Sequence, residues 1–492
     1  MTPSPILLKD GYKVGHKFQY PEGTTLVYSN LTPRKSRSKE FDSIIFFGLQ
    51  YFVKEYLQRQ FGENFFNQPK DAVLKQYARR MDNYLGKDSI TYDHIAALHD
   101  LGYLPLEIKA LPEGSLVPMR VPVLTIRNTV PEFFWLTNML ETILSAILWK
   151  PCTSATTAFQ YLRVFTQYAK DTVGDDYSFI PWQGHDFSFR GMSGVEDALM
   201  SGAGHLLCFA GTDTIPAIDF LETYYHADCE KELVGGSVAA TEHSVMCMGT
   251  QDAEIDTFDR LITKVYPAGI VSIVSDTWDF WQVITEFLPK LKEKILARNG
   301  KVVIRPDSGD PVKIVAGDKD APVDSPAYKG AIQCMWETFG GTITKTGYKL
   351  LDGHVGLIYG DGITMERQLA ILEALKQKGF ASYNVVLGLG SFTYEYVTRD
   401  TFGFAMKATY GEVNGIGRDI FKDPKTDDGT KKSAKGLMQV YTDANGRYAL
   451  KDQCTWEEEK QGALKTIFKD GQLLVDYTLD EIRKRVQGNL TK

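Results

Sequence analysis

One pattern recurs between residues 180 and 395: a short apolar run, a polar or glycine-rich turn, then a helical period. Residues 205–209 precede Gly211-Thr212-Asp213-Thr214 and a helical stretch over 220–225, and residues 270–274 precede Ser275-Asp276 and a helical stretch over 278–288. Val302-Val303-Ile304 runs into Arg305-Pro306-Asp307-Ser308-Gly309. Residues 356–359 run into Gly360-Asp361-Gly362 and a helix over 365–376, and residues 384–387 into Gly388-Leu389-Gly390-Ser391. Strands and helices that alternate in this way imply a parallel sheet, open or closed into a barrel. Polar side chains follow each run, and in α/β barrels the loops after the strands converge on the active face. Asp213, Asp276, Arg305, Asp307 and Asp361 are therefore expected in one pocket. An aspartate at such a place also suits the N-cap of the following helix. An arginine cannot cap a helix N-terminus, and the repeated placement favours a shared site.

The flanking regions differ. Residues 1–150 mix short strands (26–29, 106–110, 123–126) with helices (46–58, 72–84) and form an expected N-terminal α+β domain. Residues 151–395 are expected to form an α/β barrel domain that carries the shared pocket. Residues 396–492 are strand-rich, are expected to pack with the N-terminal domain, and carry a lysine-rich loop over 421–436. The apolar stretch 133–149 contains Asn138 and Glu141 and is short for a membrane span, so it reads as a buried helix. A formal charge of −7 argues against a nucleic-acid or anionic-membrane surface, since both need a basic footprint. The 6 cysteines include no C-x-x-C pair and read as reduced thiols of a cytoplasmic protein. The N-terminal residues show no signal-peptide pattern.

Several segments carry candidate chemistry. Arg305 offers a planar fork of donors for phosphate oxygens, and Asp307 suits Mg²⁺ held through water. An Arg–Asp pair closing a turn is the plainer reading of the same residues. Gly360-Asp361-Gly362 allows close backbone approach around a carboxylate, and equally a tight turn. Gly390-Ser391 suits a phosphate, although Thr393 breaks the dinucleotide fingerprint. In His185-Asp186-Phe187-Ser188-Phe189-Arg190, extended backbone places Phe187 and Phe189 on one side, an aromatic face for a flat heterocycle. His243 suits phosphate binding or proton transfer, or a purely structural role. The lysine-rich loop is a solvated loop or a lid for a polyphosphate.

The order of these motifs resembles the nicotinamide phosphoribosyltransferase family, and in detail its bacterial and phage branch. The likeness begins at Asp10-Gly11-Tyr12-Lys13, passes through Phe47-Gly48-Leu49-Gln50-Tyr51 and Glu242-His243-Ser244, and ends at Asp480-Glu481-Ile482-Arg483. It implies a type II phosphoribosyltransferase fold: an irregular α/β barrel with an α+β domain built from N- and C-terminal segments. It also implies a homodimer with shared active sites. The implied reaction joins nicotinamide to 5-phosphoribosyl 1-diphosphate (PRPP) with Mg²⁺, giving nicotinamide mononucleotide and diphosphate in NAD salvage.

Residue by residue, the resemblance implies that Phe187 and the partner subunit's Tyr12 sandwich the pyridine. Asp213, Ser272 and Arg305 would read or flank the carboxamide. Arg190, His243, Arg305 and Asp307 would serve the diphosphate, with Asp276, Asp307 and Asp361 near the metal through water. Gly360, Asp361, Gly390 and Ser391 would hold the ribose and 5′-phosphate, while Arg34, Arg399, Lys407 and Lys422 would add positive charge across the dimer. Asp213, His243, Arg305 and Asp307 are the catalytic candidates. Animal members phosphorylate the matching histidine with ATP, which makes ATP an expected activating co-substrate. Gly388-Leu389-Gly390-Ser391-Phe392, which lacks the triple glycine of animal members, together with Ala405 and Thr241, departs from the animal pattern and bears on phosphate contacts and nucleotide regulation. The alternatives are nicotinate phosphoribosyltransferase, a barrel glycoside hydrolase with paired carboxylates, and a non-catalytic dimeric scaffold.

Overall fold

The computed structural model describes residues 4–38, 41–422 and 434–490. The chain divides into two compact units: residues 157–219 with 228–396, and residues 1–156 with 220–227 and 397–492.

The first unit is the α/β barrel. Its strands are β1 (Gly184–Asp186), β2 (Gly211–Thr212), β3 (Ala239–Ala240), β4 (Val271–Val274), β5 (Val302–Arg305), β6 (Val355–Tyr359) and β7 (Val385–Leu389). They pair side by side in the order β2-β1-β7-β6-β5-β4-β3, and every pairing is parallel. β4 and β5 are rich in β-branched residues, whose stiff side chains pack well on a pleated surface. All four residues of β4 are buried.

The open ends of this order meet through a short backbone bridge. The Thr212 N–H donates to Gly236 O at 2.9 Å, and the Gly236 N–H donates to Ala210 O at 2.8 Å. The sheet thus closes on itself with one seam made of two hydrogen bonds, which makes the barrel irregular.

One expected strand is corrected. Residues 205–209 end and follow the helix Val195–His205, with Leu206 N–H bonded to Gly202 O and Cys208 N–H to His205 O. The run is buried on all sides, so its apolar character fits a helix end as well as a strand. The strand of this βα unit is the two-residue β2 that follows.

The second unit is α+β. Its main sheet runs Ile416–Asp419, Phe404–Val413, Thr24–Pro33, Leu124–Asn128, Leu106–Ala110, Lys465–Lys469, Gln472–Leu473. C-terminal strands lie beside N-terminal ones, with Tyr28 opposite Tyr410 and Ile108 opposite Phe468. Of the lysine-rich loop expected over 421–436, residues 423–433 lie outside the described residues. Among the described residues, no helix is long and apolar enough to cross a membrane.

This unit buries one carboxylate that makes a precise stability prediction possible. Glu113 accepts the Gly48 N–H at 2.9 Å, the Gln50 N–H at 2.6 Å and the Tyr225 hydroxyl at 3.0 Å. Burial pushes its carboxyl up to about 7 despite those donors. An acid whose folded-state value is raised holds its proton longer when folded, so stability falls as pH rises from the unfolded value toward 7. Glu113→Gln loses an acceptor and is less stable at pH 4.5, where the parent carboxyl is still protonated. The gap to the parent should narrow by about 3 kcal/mol between pH 4.5 and 8, at roughly 1.4 kcal/mol per pH unit. Chemical denaturation across that range measures it, and a constant gap contradicts the assignment.

Candidate active site

The barrel strands deliver their reactive groups to one mouth. His185 in β1 and Phe187 just after it, whose N–H still donates to Leu389 O at 3.0 Å, stand together with ring centroids 4.6 Å apart, whereas Phe189 lies in the 3-10 turn Phe189–Gly191 and not in the extended stretch expected. Between them Asp186 is fully buried, and one of its oxygens accepts the Ser188 N–H at 2.9 Å and the Ser188 hydroxyl at 2.7 Å. That turn fixes where the Phe187 ring leaves the strand.

The ring rests on glycine. A Cβ at Gly388 would stand 2.5 Å from the Phe187 ring and 2.6 Å from the Gly360 Cα, and one at Gly360 would stand 3.2 Å from both Phe187 and Asp307. These glycines are required by space, because any side chain there fills the volume the ring occupies.

Asp213 follows β2. Its Oδ1 lies 2.9 Å from His185 Nε2 and accepts the Ser237 hydroxyl at 2.8 Å. Burial raises its carboxyl, but the hydrogen bonds from His185 and Ser237 and the charge of Arg305 outweigh burial and hold it below the ordinary aspartate value. Arg305, at the end of β5, donates through Nη2 to Thr241 O at 2.5 Å, and its Nε is buried without a hydrogen-bond partner. The pair with Asp307 is long, at 3.9 Å. Arg305 is therefore anchored at one edge of its fork while another donor stays unsatisfied.

The helix-cap reading fails at three loops. The caps are Asp279, Asp310 and Thr364, each accepting backbone N–H groups of the helix it precedes. Each stands three residues beyond Asp276, Asp307 or Asp361, which leaves those carboxylates for other work.

Asp276 Oδ2 accepts the Asp307 N–H at 2.8 Å and the Ser308 hydroxyl at 2.6 Å, while its Oδ1 is buried with no hydrogen bond. His243 Nε2 is 3.8 Å from that Oδ1, and His243 Nδ1 is 3.2 Å from the Thr277 hydroxyl. Burial raises the Asp307 carboxyl, Arg305 pulls it back, and Asp276 raises it again, with a smaller push from Asp361. Three acidic groups near one another, faced by Arg305 and His243 only at 3.8–3.9 Å, attract further positive charge. Among the described residues, no set of three or more His, Cys, Asp or Glu side chains converges to hold a metal by itself.

A cavity of about 800 Å³ opens at this mouth, lined by Phe187, Arg190, Asp213, Arg305, Asp307, Gly360, Asp361, Gly390 and Ser391 among others. A second cavity of about 460 Å³ occupies the barrel interior and shares Phe187, Asp213 and Arg305 with the first. It also touches His185, Ser237 and Ser272, whose hydroxyl is buried without a partner.

The chain is similar to known proteins in sequence and in fold. Residues 182–472 match the nicotinate phosphoribosyltransferase (NAPRTase) family, and residues 5–108 match the nicotinamide phosphoribosyltransferase N-terminal domain. A protein of Acinetobacter baylyi named nicotinamide phosphoribosyltransferase is 58% identical, covering 99% of this chain and 98% of its own. The chain belongs to the nicotinate phosphoribosyltransferase family. A Xanthomonas campestris protein, also named nicotinamide phosphoribosyltransferase, is 35% identical over 97% of each chain. The solved nicotinate-nucleotide pyrophosphorylase of Pyrococcus furiosus shares the fold, with a TM-score of 0.60 at 15% identity, over 100% of this chain and 97% of that one.

In this family member the barrel unit brings together Phe187, Arg190, Asp213, Arg305, Asp307, Gly360, Asp361, Gly390 and Ser391. Ser272 lies in the interior cavity, and Asp276 and His243 stand beside Asp307. Tyr12, Arg34, Arg399, Lys407 and Lys422 belong to the other unit. There Tyr12 is 66% exposed, Arg34 Nε donates to Gly403 O at 3.1 Å, and Arg399 pairs with Asp400 at 3.3 Å. Lys407 titrates below the ordinary lysine value because of burial, with Lys422, Arg34 and Lys13 adding positive charge against the pull of Glu141.

Sequence reasoning did not assign His185, Ser237, Thr241 or Gly388 to the site. The only signal for His185 was its two-residue spacing from Phe187. Ser237 and Thr241 come from the seam, which has no apolar run to mark it.

Gly388→Ala should raise the KM for the flat heterocyclic substrate by more than about tenfold, since displacing a reacting ring by an ångström costs on that order or more. Steady-state kinetics with unchanged circular dichroism checks this, and an unaltered KM contradicts the role of the glycine floor.

Proposed function

We propose that this chain joins nicotinamide to C1 of PRPP, forming nicotinamide mononucleotide and diphosphate in NAD salvage. The enzyme class is a pentosyltransferase, in line with the family and the full-length relatives. The observation that carries the choice of substrate is Asp213: a carboxylate held ionised beside the Phe187 ring, at the junction of both cavities. An anionic acceptor takes a hydrogen bond from a carboxamide N–H₂ and repels the carboxylate of nicotinate. This favours nicotinamide over the nicotinate reading. The open cavities and the unsatisfied Arg305 Nε favour an enzyme over a scaffold.

The chemistry needs no protein nucleophile. The pyridine nitrogen lone pair forms the bond to C1 as the C1–O bond breaks, and its electron pair leaves with diphosphate. Phe187, seated on Gly360 and Gly388, stacks the pyridine so that its nitrogen faces C1, which makes positioning a large share of catalysis. Arg305 and Arg190 face the region where negative charge grows, the arrangement that stabilises a departing anion. Gly390 and Ser391 suit the 5′-phosphate, and Asp361 the ribose hydroxyls.

Mg²⁺ bound to the diphosphate would neutralise leaving-group charge, and Asp276, Asp307 and Asp361 would hold it through water. Magnesium characteristically binds a few carboxylates together with substrate phosphates, which suits a site where, among the described residues, no protein-only ligand set converges. The cluster of Lys13, Arg34, Lys407 and Lys422 supports a homodimer in which the partner completes the anion site. ATP as an activating co-substrate fits His243, exposed at the start of the helix His243–Met248 and next to Asp276. ADP release together with an acid-labile phosphohistidine tests that coupling, and ATP-independent kinetics with no phosphorylated form contradicts it. The unbridged thiols of all six cysteines fit a cytoplasmic location.

The deciding assay is nicotinamide mononucleotide formation from nicotinamide and PRPP, with nicotinate as the competing substrate. Turnover with nicotinamide and little with nicotinate is expected; the reverse preference refutes the reading. Arg305→Ala should lower kcat/KM for both nicotinamide and PRPP by at least about 100-fold. A loss confined to one substrate would show that Arg305 does not serve both ends of the cavity.

A further inference from the structure

Asp213 has two carboxylate oxygens, and the structure treats them differently. Oδ1 faces His185 Nε2 at 2.9 Å and the Ser237 hydroxyl at 2.8 Å. A carboxylate presents only lone pairs, so a neutral imidazole facing it must carry its proton on Nε2. Both contacts are therefore donors, and both fall on the same oxygen. The imidazole is itself held: it is 8% exposed, stands beside the Phe187 ring, and lies where a Cβ on Gly211 would come within 2.6 Å of its Nδ1. Ser237 reaches Asp213 from the segment that follows Gly236, across the barrel seam.

We infer that His185 and Ser237 are positioning residues that jointly orient Asp213, occupying one oxygen so that the other is aimed as the acceptor for the substrate carboxamide. The inference rests on the proposed role of Asp213 and adds the source of its geometry. Without the two donors the carboxylate rotates, and its charge is no longer directed along the edge of the ring stacked on Phe187. Amide binding then weakens, and discrimination against the acid weakens with it. Diphosphate departure, which occurs at Arg305 and Arg190, is left intact.

This separates the role from a general structural one. Loss of either donor should act on the KM for nicotinamide and on the nicotinamide-to-nicotinate ratio of kcat/KM, with little change in kcat or in the KM for PRPP. Loss of a hydrogen bond to a charged group is on the order of tenfold. His185→Phe removes the donor and keeps a flat ring, while His185→Gln returns an N–H donor the same number of bonds from the backbone. Ser237→Ala tests the second donor from a loop, where folding is not at stake.

The experiment compares both substrates for the wild type, H185F, H185Q, S237A, D213N and the double variant H185F/D213N, using full-length protein. The expected result is an approximately tenfold rise in nicotinamide KM for H185F, with substantial recovery in H185Q. S237A should show a smaller rise of the same kind, and H185F should have almost no further effect once D213N is present. Additive losses in H185F/D213N overturn the inference, because residues acting through one carboxylate must couple. Equal losses for nicotinamide, nicotinate and PRPP in both H185F and S237A overturn it as well. If D213N alone leaves the amide preference unchanged, the reading of Asp213 fails and the positioning role fails with it. If D213N abolishes the preference while H185F and S237A do not, only the positioning role fails.

Discussion

Two backbone hydrogen bonds, from Thr212 N–H to Gly236 O and from Gly236 N–H to Ala210 O, close the barrel beside β2, and the site depends on that closure. Without it the strands form an open sheet whose first and last members lie far apart. With it, Asp213 after β2 meets Ser237 before β3, and β1 brings His185 against the same carboxylate. The seam is the least regular part of the ring and also the place where the proposed selective group is built. Functional positions often violate the local regularity that the rest of a fold obeys.

Charge organises the mouth in two opposed halves. Around Asp213, hydrogen bonds and Arg305 overcome burial and keep a carboxylate ionised. Around Asp307, burial and neighbouring acids work the other way and make a second carboxylate reluctant to ionise. The first half suits a neutral amide donor. The second suits a cation travelling with an anionic leaving group. Groups of the same residue type, pushed apart by their surroundings, divide the labour of one cavity.

The βα rhythm after residue 270 was legible because β-branched runs such as Val302-Val303-Ile304 are followed by unmistakable turns. The observed strand Val302–Arg305 and helix Met365–Gln377 lie within a residue of expectation. Asp213, Asp276, Arg305, Asp307 and Asp361 were readable from their placement after apolar runs, and for Asp276, Asp307 and Asp361 the cap residues three positions further on leave the carboxylate free of the capping role. The run at 205–209 misled because full burial erases the difference between a helix end and a strand. Strands β2 and β3, of two residues each, carry no periodicity to detect, so the seam and its Ser237 were invisible. The glycine floor was half visible: Gly388 was part of a quoted motif, but its task depends on a ring from a strand 200 residues earlier in the sequence.

In the proposed reaction one cavity at the barrel mouth holds the pyridine, the ribose and the phosphates together. Competition between the product and one substrate tests it most directly. Calorimetric titration of nicotinamide mononucleotide into the protein, with PRPP present at increasing concentration and nicotinamide absent, reports whether the two share their ribose and phosphate contacts. The apparent affinity for the mononucleotide should fall in proportion to the PRPP concentration. Binding of the mononucleotide with undiminished affinity to the PRPP-saturated protein would contradict it.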